Sequence, residues 1–378
     1  MPGLKKSSFL SLSWQGQLSD YVTAMDWSPD GEWLAIASGS GEVTLLNISK
    51  KRTIAIEESG VESIDCLGFS YDGQFLAAGG QNGQVKVWRL SSDLEADPKI
   101  DSTLPKLVKV LEHPRTWIDH LAWSPVRNEL AFSLGRYVQV WDMAREEMVA
   151  MLPFESSSVL DLAWHPDGKQ LALSGHLAVK IWSRSDWDND PKVQEIAAAG
   201  VAIAISPGGQ YLACSNLDNT LIVWKWDSSY PWRMTGFPSK VRHLAWTDAS
   251  ARGTRFSPPM IAAASGAVLT IWHKLRTDQA GWTSRTLDLH QKKIVALAFQ
   301  PGSSLLASAS EDGRVILWHK AKQLGQMLEG AAQGFSALAW SPQGRLLAAG
   351  GAQGECRVWI QDDFSKEKLR QRGRSFLR

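Results

Sequence analysis

The stretch IVALAFQPGSSLLASASEDGRVILW, residues 294–318, decides the fold because it reads as three short strands separated by two turns. Its first strand ends at Phe299, its second is built of small residues, and its third alternates and ends at Trp318. Proline presets the dihedral of such turns, and glycine supplies a positive φ. The adjacent acids Glu311 and Asp312 are either a catalytic pair or a part of the fold.

The same order of strands and turns returns along the whole chain with a spacing typical of propeller blades. Its eight units cover residues 22–46, 64–88, 118–141, 159–182, 201–224, 241–272, 294–318 and 335–359. Tryptophan ends the third strand of every unit except the first, where Leu46 takes this place. A fourth, more polar strand follows, as at residues 53–58. We therefore predict an all-β, eight-bladed propeller of four-stranded antiparallel blades, with seven blades and an extra hairpin as the alternative.

Closure of the ring involves the N-terminal segment. In residues 7–16, Leu10, Leu12 and Trp14 alternate with polar residues, which is typical of a strand. We predict that this segment is the outer strand of the last blade, because closing the ring removes an open sheet edge. The predicted organisation is a single propeller over residues 1–360 and a basic tail over residues 361–378.

Bulk composition limits the classes of partner and of location. The net charge is +1, so no global electric field favours binding of nucleic acid. Only the basic tail offers a site for RNA, DNA or an acidic protein surface. The alternative is that this tail is merely solvated. No apolar run approaches the roughly 18 residues that a membrane helix needs. Three scattered cysteines indicate neither a disulfide framework nor a CxxC metal site. We expect a cytoplasmic protein that makes no membrane contact.

The eight units resemble the WD40 repeat family over about residues 7–360. Only Trp141, followed by Asp142, carries the signature dipeptide at the end of a third strand, so the resemblance rests on period and pattern. It implies a propeller whose N-terminus closes the last blade. It also implies that the seventh unit contains a structural, hydrogen-bonded tetrad, formed by His290, Ser308, Asp312 and Trp318. Asp312 would then be a buried strut, and Glu311 would point outward.

The resemblance also implies a partner-binding surface. WD40 proteins tend to bind partners through residues that flank the first apolar residue of strand one, or that precede the turn aspartate. Carried over to this chain, these positions define the top rim: Tyr21, Asp65, Gln81, Trp117, Asp119, Leu160, Leu217, Lys240, Arg242, Lys293 and Glu311. The cations lie on units six and seven, and the aromatic and acidic residues lie mainly on units one to three. Such a rim suits a peptide or protein of complementary charge.

The longest connections are predicted on the opposite, bottom face. They cover residues 89–105, 183–191, 225–231, 247–259 and 273–281. Trp187, Trp226, Tyr230 and Trp232 lie in or beside these loops. They either anchor a partner or fold back over the blades.

The predicted function is a non-enzymatic scaffold for partner proteins or peptides, working as a monomer or as a subunit of a hetero-complex, without cofactor or metal. The eight histidines form no HExxH pattern, and no nucleophile or phosphate-loop motif stands in its required context. The alternative is a metal- or small-molecule-binding propeller, or an enzyme, that uses the mouth of the central channel. His120, Asp161 and His243 share one slot of strand one and would converge there.

Overall fold

The structure is a computed structural model that describes residues 9–90, 105–248 and 259–361. Within these ranges the chain forms 31 β-strands and no helix, and all paired strands are antiparallel. The predicted all-β architecture of four-stranded antiparallel blades is confirmed. No helix that could cross a membrane occurs in this part of the chain.

The strands of the described residues pair into eight four-stranded units, blades 1 to 8, numbered along the chain. Strand β1 (Leu10–Gln17) belongs to blade 8. Blade 1 has β2 (Val22–Trp27), β3 (Trp33–Ser38), β4 (Val43–Asn47) and β5 (Arg52–Glu57). Blade 2 has β6 (Ile64–Phe69), β7 (Phe75–Gly80), β8 (Gln84–Arg89) and β9 (Lys106–Glu112). Blade 3 has β10 (Leu121–Trp123), β11 (Glu129–Leu134), β12 (Tyr137–Asp142) and β13 (Glu147–Pro153).

The second half repeats this order with one difference, a strand shared by two blades. Blade 4 has β14 (Asp161–Trp164), β15 (Gln170–Ser174), β16 (His176–Ser183) and the first part of β17 (Lys192–Ile205). Blade 5 has the rest of β17, β18 (Tyr211–Asn216), β19 (Leu221–Lys225) and β20 (Pro231–Met234). Blade 6 has β21 (Val241–Trp246), β22 (Met260–Ser265), β23 (Val268–Lys274) and β24 (Trp282–Leu287). Blade 7 has β25 (Ile294–Phe299), β26 (Leu306–Ser310), β27 (Arg314–His319) and β28 (Gln323–Glu329). Blade 8 has β29 (Phe335–Trp340), β30 (Leu346–Gly351) and β31 (Glu355–Gln361), with β1 as its outer strand.

The innermost strands form a closed ring. Each of β2, β6, β10, β14, β17, β21, β25 and β29 contacts the next, and β29 contacts β2. The hydrophobic core lies between neighbouring blades, since each buried cluster combines residues of two of them. Apolar burial of this kind is the main favourable term in folding.

The tryptophans that end the first strands join adjacent blades. The indole Nε1 of Trp123 donates to the Gly68 carbonyl at 2.8 Å, and that of Trp246 donates to the Ala204 carbonyl at 3.0 Å. Trp27, Trp164 and Trp340 make the same bond to the preceding blade. The repeated aromatic position thus has a polar role as well as an apolar one, because each indole N–H fixes the spacing of two blades.

The N-terminal segment completes blade 8. Strand β1 pairs with β31 from Leu10 to Gln17, while the sequence places this strand at residues 7–16. Gln326 of blade 7 binds the same segment, because its Oε1 accepts from the N–H groups of Phe9 and Leu10 and its Nε2 donates to the Leu10 carbonyl at 2.8 Å. The predicted basic tail lies outside the described residues, apart from Gln361 at the end of β31.

Candidate partner-binding site

Strand alternation exposes the residues of the top rim. Val241 and Ile294 are buried at the beginning of β21 and β25. Because successive side chains of a strand point to opposite faces, the residues beside these anchors are directed away from the core. Lys240, Arg242 and Lys293 are accordingly exposed.

One side of the top rim, on blades 1 to 3, carries aromatic and acidic residues. The Trp117 side chain is 59% exposed, and Tyr21 is also exposed, with its ring against Gly39, where any side chain would collide with it. Asp119 is exposed, while half-buried Asp65 accepts from the Ser63 hydroxyl at 2.6 Å. Burial, followed by the nearby carboxylates of Asp65 and Asp119, raises the pKa of the Cys66 thiol. The carboxylates of two adjacent blades therefore lie near Cys66.

Three further predicted residues are spread around the rim. Gln81 and Leu217 are exposed, and Leu160 is half-buried. Their backbone positions are fixed, since the Leu217 N–H donates to the Ala199 carbonyl at 2.9 Å and the Leu160 N–H donates to the Ser174 carbonyl at 2.8 Å. These residues stay predictions for partner contact.

The other side of the top rim forms a pocket of about 440 Å³ between blades 5, 6 and 7, here called the cationic pocket. It brings together the three predicted cations. Its lining consists of Asn219, Pro238, Ser239, Lys240, Arg242, Ala264, Gly266, Lys293 and Ile294. The sequence did not single out Asn219, Ser239 or Gly266. Asn219 has a φ of 61°, in the left-handed region that asparagine tolerates in turns. The signal available in the sequence was the turn-forming pair Asp218 and Asn219.

The cationic pocket carries more positive than negative charge. Lys293 Nζ lies 3.8 Å from Glu311 Oε1, and both side chains are about half exposed. Within the described residues, Lys240 and Arg242 form no ion pair. Burial, with help from Lys293 and Arg242, lowers the pKa of His243 to about 4. The histidine is therefore neutral at pH 7, and the pocket keeps an excess of positive charge.

The blade 7 residues His290, Ser308, Asp312 and Trp318 form one hydrogen-bonded chain. Trp318 Nε1 donates to Ser308 Oγ at 2.8 Å, and Ser308 Oγ lies 2.7 Å from His290 Nε2. Because the indole can only donate, the serine hydroxyl hydrogen goes to Nε2, and Nδ1 donates to Asp312 Oδ2 at 3.0 Å. Burial lowers the pKa of His290, which fits this neutral tautomer.

The two adjacent acids of blade 7 have different surroundings. The Asp312 side chain is 4% exposed, and burial alone would raise its pKa. The Gln291 N–H and His290 bind the carboxylate and hold its pKa below the ordinary value. The Glu311 side chain is 47% exposed and belongs to the top rim. A catalytic pair would require both carboxylates in one site, and the structure separates them.

Two of the three residues proposed for the metal-binding alternative lie close together. His120 Nδ1 lies 3.8 Å from Asp161 Oδ1. Asp161 also accepts from the backbone N–H groups of Leu162 and Ile203, and burial raises its pKa. Among the described residues, no three His, Cys, Asp or Glu side chains are placed to hold a metal ion, so His243 does not complete a site.

The bottom face packs most of its aromatic residues against the blades, where they are half-buried. Trp187 packs edge-on against Trp164, Trp226 packs on His165 with ring centroids 4.4 Å apart, and Trp232 packs on Trp282. Tyr230 is the exception, with 87% of its surface exposed. Most of the predicted loops 89–105 and 247–259 lies outside the described residues.

Two family models match the chain. The model described as "Anaphase-promoting complex subunit 4 WD40 domain" matches residues 12–59 and 25–96. The model described as "WD domain, G-beta repeat" matches residues 147–183, 193–225, 281–319 and 322–359. The two sets together cover more than half of the sequence.

Individual proteins match shorter parts or only the fold. A chromatin assembly factor 1 subunit FAS2 homolog from Oryza sativa subsp. japonica is 26% identical over 168 residues, which are 43% of this chain and 33% of that protein. Cytoplasmic dynein 2 intermediate chain 2 from Homo sapiens is 43% identical over 79 residues, 19% of this chain and 15% of that protein. The chain thus spans about a third or less of these relatives. Sqt1 from Chaetomium thermophilum has a TM-score of 0.77 and 18% identity, covering 93% of this chain and all of that one, a likeness of fold.

Proposed function

Because the chain belongs to the WD40-repeat family, we propose that it is a non-enzymatic scaffold that binds partner proteins or peptides through its top rim. The bottom face is a second, smaller candidate surface. The observation that carries this proposal is the polarity of the rim. Exposed Trp117 and Tyr21 lie with Asp65 and Asp119 on one side, and the cationic pocket lies on the other.

The physical basis is the presentation of large and charged side chains on a rigid frame. Aromatic and arginine side chains contribute most to protein interfaces, and complementary charge provides specificity. Trp117 is the most exposed tryptophan of the described residues, and tryptophan is enriched among the residues that contribute most to protein interfaces. The rice relative is named as a subunit of an assembly factor, which supports a role in protein complexes.

The scaffold is proposed to work in the cytoplasm, as a monomer or as a subunit of a hetero-complex. The three cysteines are free thiols, and Cys214 and Cys356 are buried. Free thiols fit a reducing compartment. Nucleic acid is not a proposed partner of the propeller.

Affinity purification from the native cell, followed by mass spectrometry, tests the scaffold. Trp117→Ala should remove partners bound to the aromatic side, and Lys240→Glu with Arg242→Glu should remove partners bound to the cationic side. Tyr230→Ala is the matched control, since it truncates an exposed aromatic residue of the bottom face.

The proposal fails if all rim variants retain every partner of the unmodified protein. Loss of partners with Tyr230→Ala alone would make the bottom face the main surface. Circular dichroism of each variant should be unchanged, because none of the four residues is buried.

A further inference from the structure

We propose that the cationic pocket binds the phosphate of a phosphorylated serine or threonine in a segment of a partner protein. This inference rests on the proposed scaffold function and names the chemistry of one partner of the top rim. It assigns a role to Lys240, Arg242 and Lys293 beyond a general positive field.

The charge of the pocket matches a phosphate better than a carboxylate. Lys240 and Arg242 have no ion pair within the described residues, and Lys293 shares its charge with Glu311 at 3.8 Å. A phosphomonoester carries about −1.5 to −2 charges at pH 7, whereas a carboxylate carries a single one. Two unpaired cations and a partly neutralised third therefore suit a dianion. Arginine adds a planar pair of donors that fits phosphate oxygens.

Polar groups around the cations offer further donors. The Asn219 side-chain amide makes no hydrogen bond within the described residues and lines the pocket. The neighbouring carboxylate of Asp218 is bound by Arg233 at 3.0 Å, so its charge is partly offset. His243 keeps its neutral form beside the cations, because burial and these cations lower its pKa to about 4. A bound dianion would offset the cations and raise the pKa of His243.

The shape of the site allows a peptide to continue past the phosphate. Pro238 lies exposed in the lining beside the cations and offers apolar contact to neighbouring side chains of a peptide. Lys240, Arg242 and Lys293 are all exposed at the rim, so both ends of a peptide can leave the pocket. An enclosed cavity would have favoured a small phosphorylated molecule instead.

Fluorescence anisotropy with peptide libraries tests the inference. One labelled library carries a central phosphoserine or phosphothreonine between randomised flanks, and a second carries the unphosphorylated residue. The phosphorylated library should bind at least about tenfold more tightly. Lys240→Ala with Arg242→Ala should abolish this difference, whereas Lys292→Ala, an exposed lysine outside the pocket lining, should leave it unchanged.

Equal binding of the two libraries would overturn the inference, and so would a difference that persists in the Lys240→Ala, Arg242→Ala variant or is lost in Lys292→Ala. Tighter binding of a single-stranded RNA oligonucleotide than of the phosphorylated library would overturn it too. Inorganic phosphate is added as a competitor, and if its affinity matches that of the library, the peptide contributes nothing and the inference also fails.

A second arm separates this inference from the scaffold proposal. Native-cell lysate is treated with phosphatase before affinity purification on the unmodified protein. Loss of partners that also depend on Lys240 and Arg242 supports the phosphate contact. If those partners survive phosphatase but are lost in the charge-reversal variant, the scaffold stands and the phosphate contact is wrong.

Discussion

Blades 6 and 7 are neighbours in the ring, yet they fill the space beside the third-strand tryptophan in different ways. In blade 7, Trp318 lies opposite Leu306, and Ser308 accepts from its indole. In blade 6, Trp272 lies opposite Ile261 in the same register, and Ala263 stands where blade 7 has Ser308. The Trp272 Nε1 is buried and has no hydrogen-bond partner within the described residues.

The residue four positions before the first strand completes the difference. Blade 7 has His290, whereas blade 6 has Phe237, whose ring centroid lies 6.2 Å from that of Trp272. One blade therefore uses a polar chain and the other uses apolar packing. A polar chain depends on every member, because each buried group left without a partner costs about 1–3 kcal/mol. Apolar packing depends on volume and accepts one unpaired N–H.

The largest expected effect comes from breaking the polar chain. Ser308→Ala gives blade 7 the residue of blade 6 but leaves the indole of Trp318 and the Nε2 of His290 unpaired. We expect a loss of about 2–4 kcal/mol in the free energy of unfolding. Asp312→Ala should also destabilise the fold. Urea denaturation followed by tryptophan fluorescence measures both effects.

Glu311→Ala is the matched control for Asp312→Ala. It removes an adjacent carboxylate that is exposed, and exposed ion pairs contribute little to stability. If Glu311→Ala destabilised the protein as much as Asp312→Ala, the division into a strut and a surface residue would be wrong.

The second prediction concerns acid. Burial lowers the pKa of His290 in the folded protein, so the unfolded chain takes up its proton at a higher pH, and stability falls as the pH falls below about 6.5. Asp312 adds its own loss only near and below the ordinary carboxylate pKa, since its pKa is also lowered. His290→Phe with Ser308→Ala rebuilds the pattern of blade 6. This variant should lose less stability than the unmodified protein between about pH 7 and pH 5.

Other titrating groups are common to both proteins and cancel in the difference. His243 has a pKa lowered to about 4 and loses stability in acid. Asp26 has the opposite effect on stability, because burial raises its pKa to about 6. The folded protein therefore takes up this proton first and gains stability from Asp26 as the pH falls. Equal losses in the two proteins would show that His290 is not the acid-sensitive group of blade 7.

The smallest expected effect comes from repairing blade 6. Ala263→Ser places a hydroxyl where blade 7 has Ser308 and offers the Trp272 indole an acceptor. We expect a gain of up to about 1 kcal/mol, measured as a rise in Tm. Ala262→Ser is the matched control, because that side chain points to the other face of β22 and should destabilise. Equal shifts in the two variants would contradict the comparison.

The repeat period was enough to predict the strands and the outer strand at the N-terminus, because these follow from local patterns such as the small residues of β26. The positions of the blade 7 chain came from the resemblance to the WD40 family and not from the period. The shared strand β17 was not predicted, because the repeat was divided into separate units four and five, although residues 192–205 contain neither a proline nor a turn pair that would interrupt a strand. The indole bonds between blades were missed too, since they join residues about one repeat apart.

The cationic pocket was predicted in part. Lys240, Arg242 and Lys293 could be placed on one rim through the resemblance to the WD40 family, whose partner-binding positions map onto them. Asn219 could not, because it comes from the turn of another blade and reaches the pocket through the curvature of the ring. A sequence pattern shows on which face of its own blade a residue lies, whereas a pocket depends on how closely residues of different blades approach one another.

The clasp formed by β1, β31 and Gln326 has a consequence for biosynthesis. Residues 10–17 leave the ribosome long before residues 355–361, because chains are made from the N-terminus. Until translation passes Gln361, strand β1 has no partner in blade 8, and the nascent ring has two unpaired edges that invite association with other chains. Closure therefore pairs residues 10–17 with residues 355–361 in a late folding step of very high contact order. Between the synthesis of these two strands, a chaperone that covers the unpaired edges would prevent association with other chains.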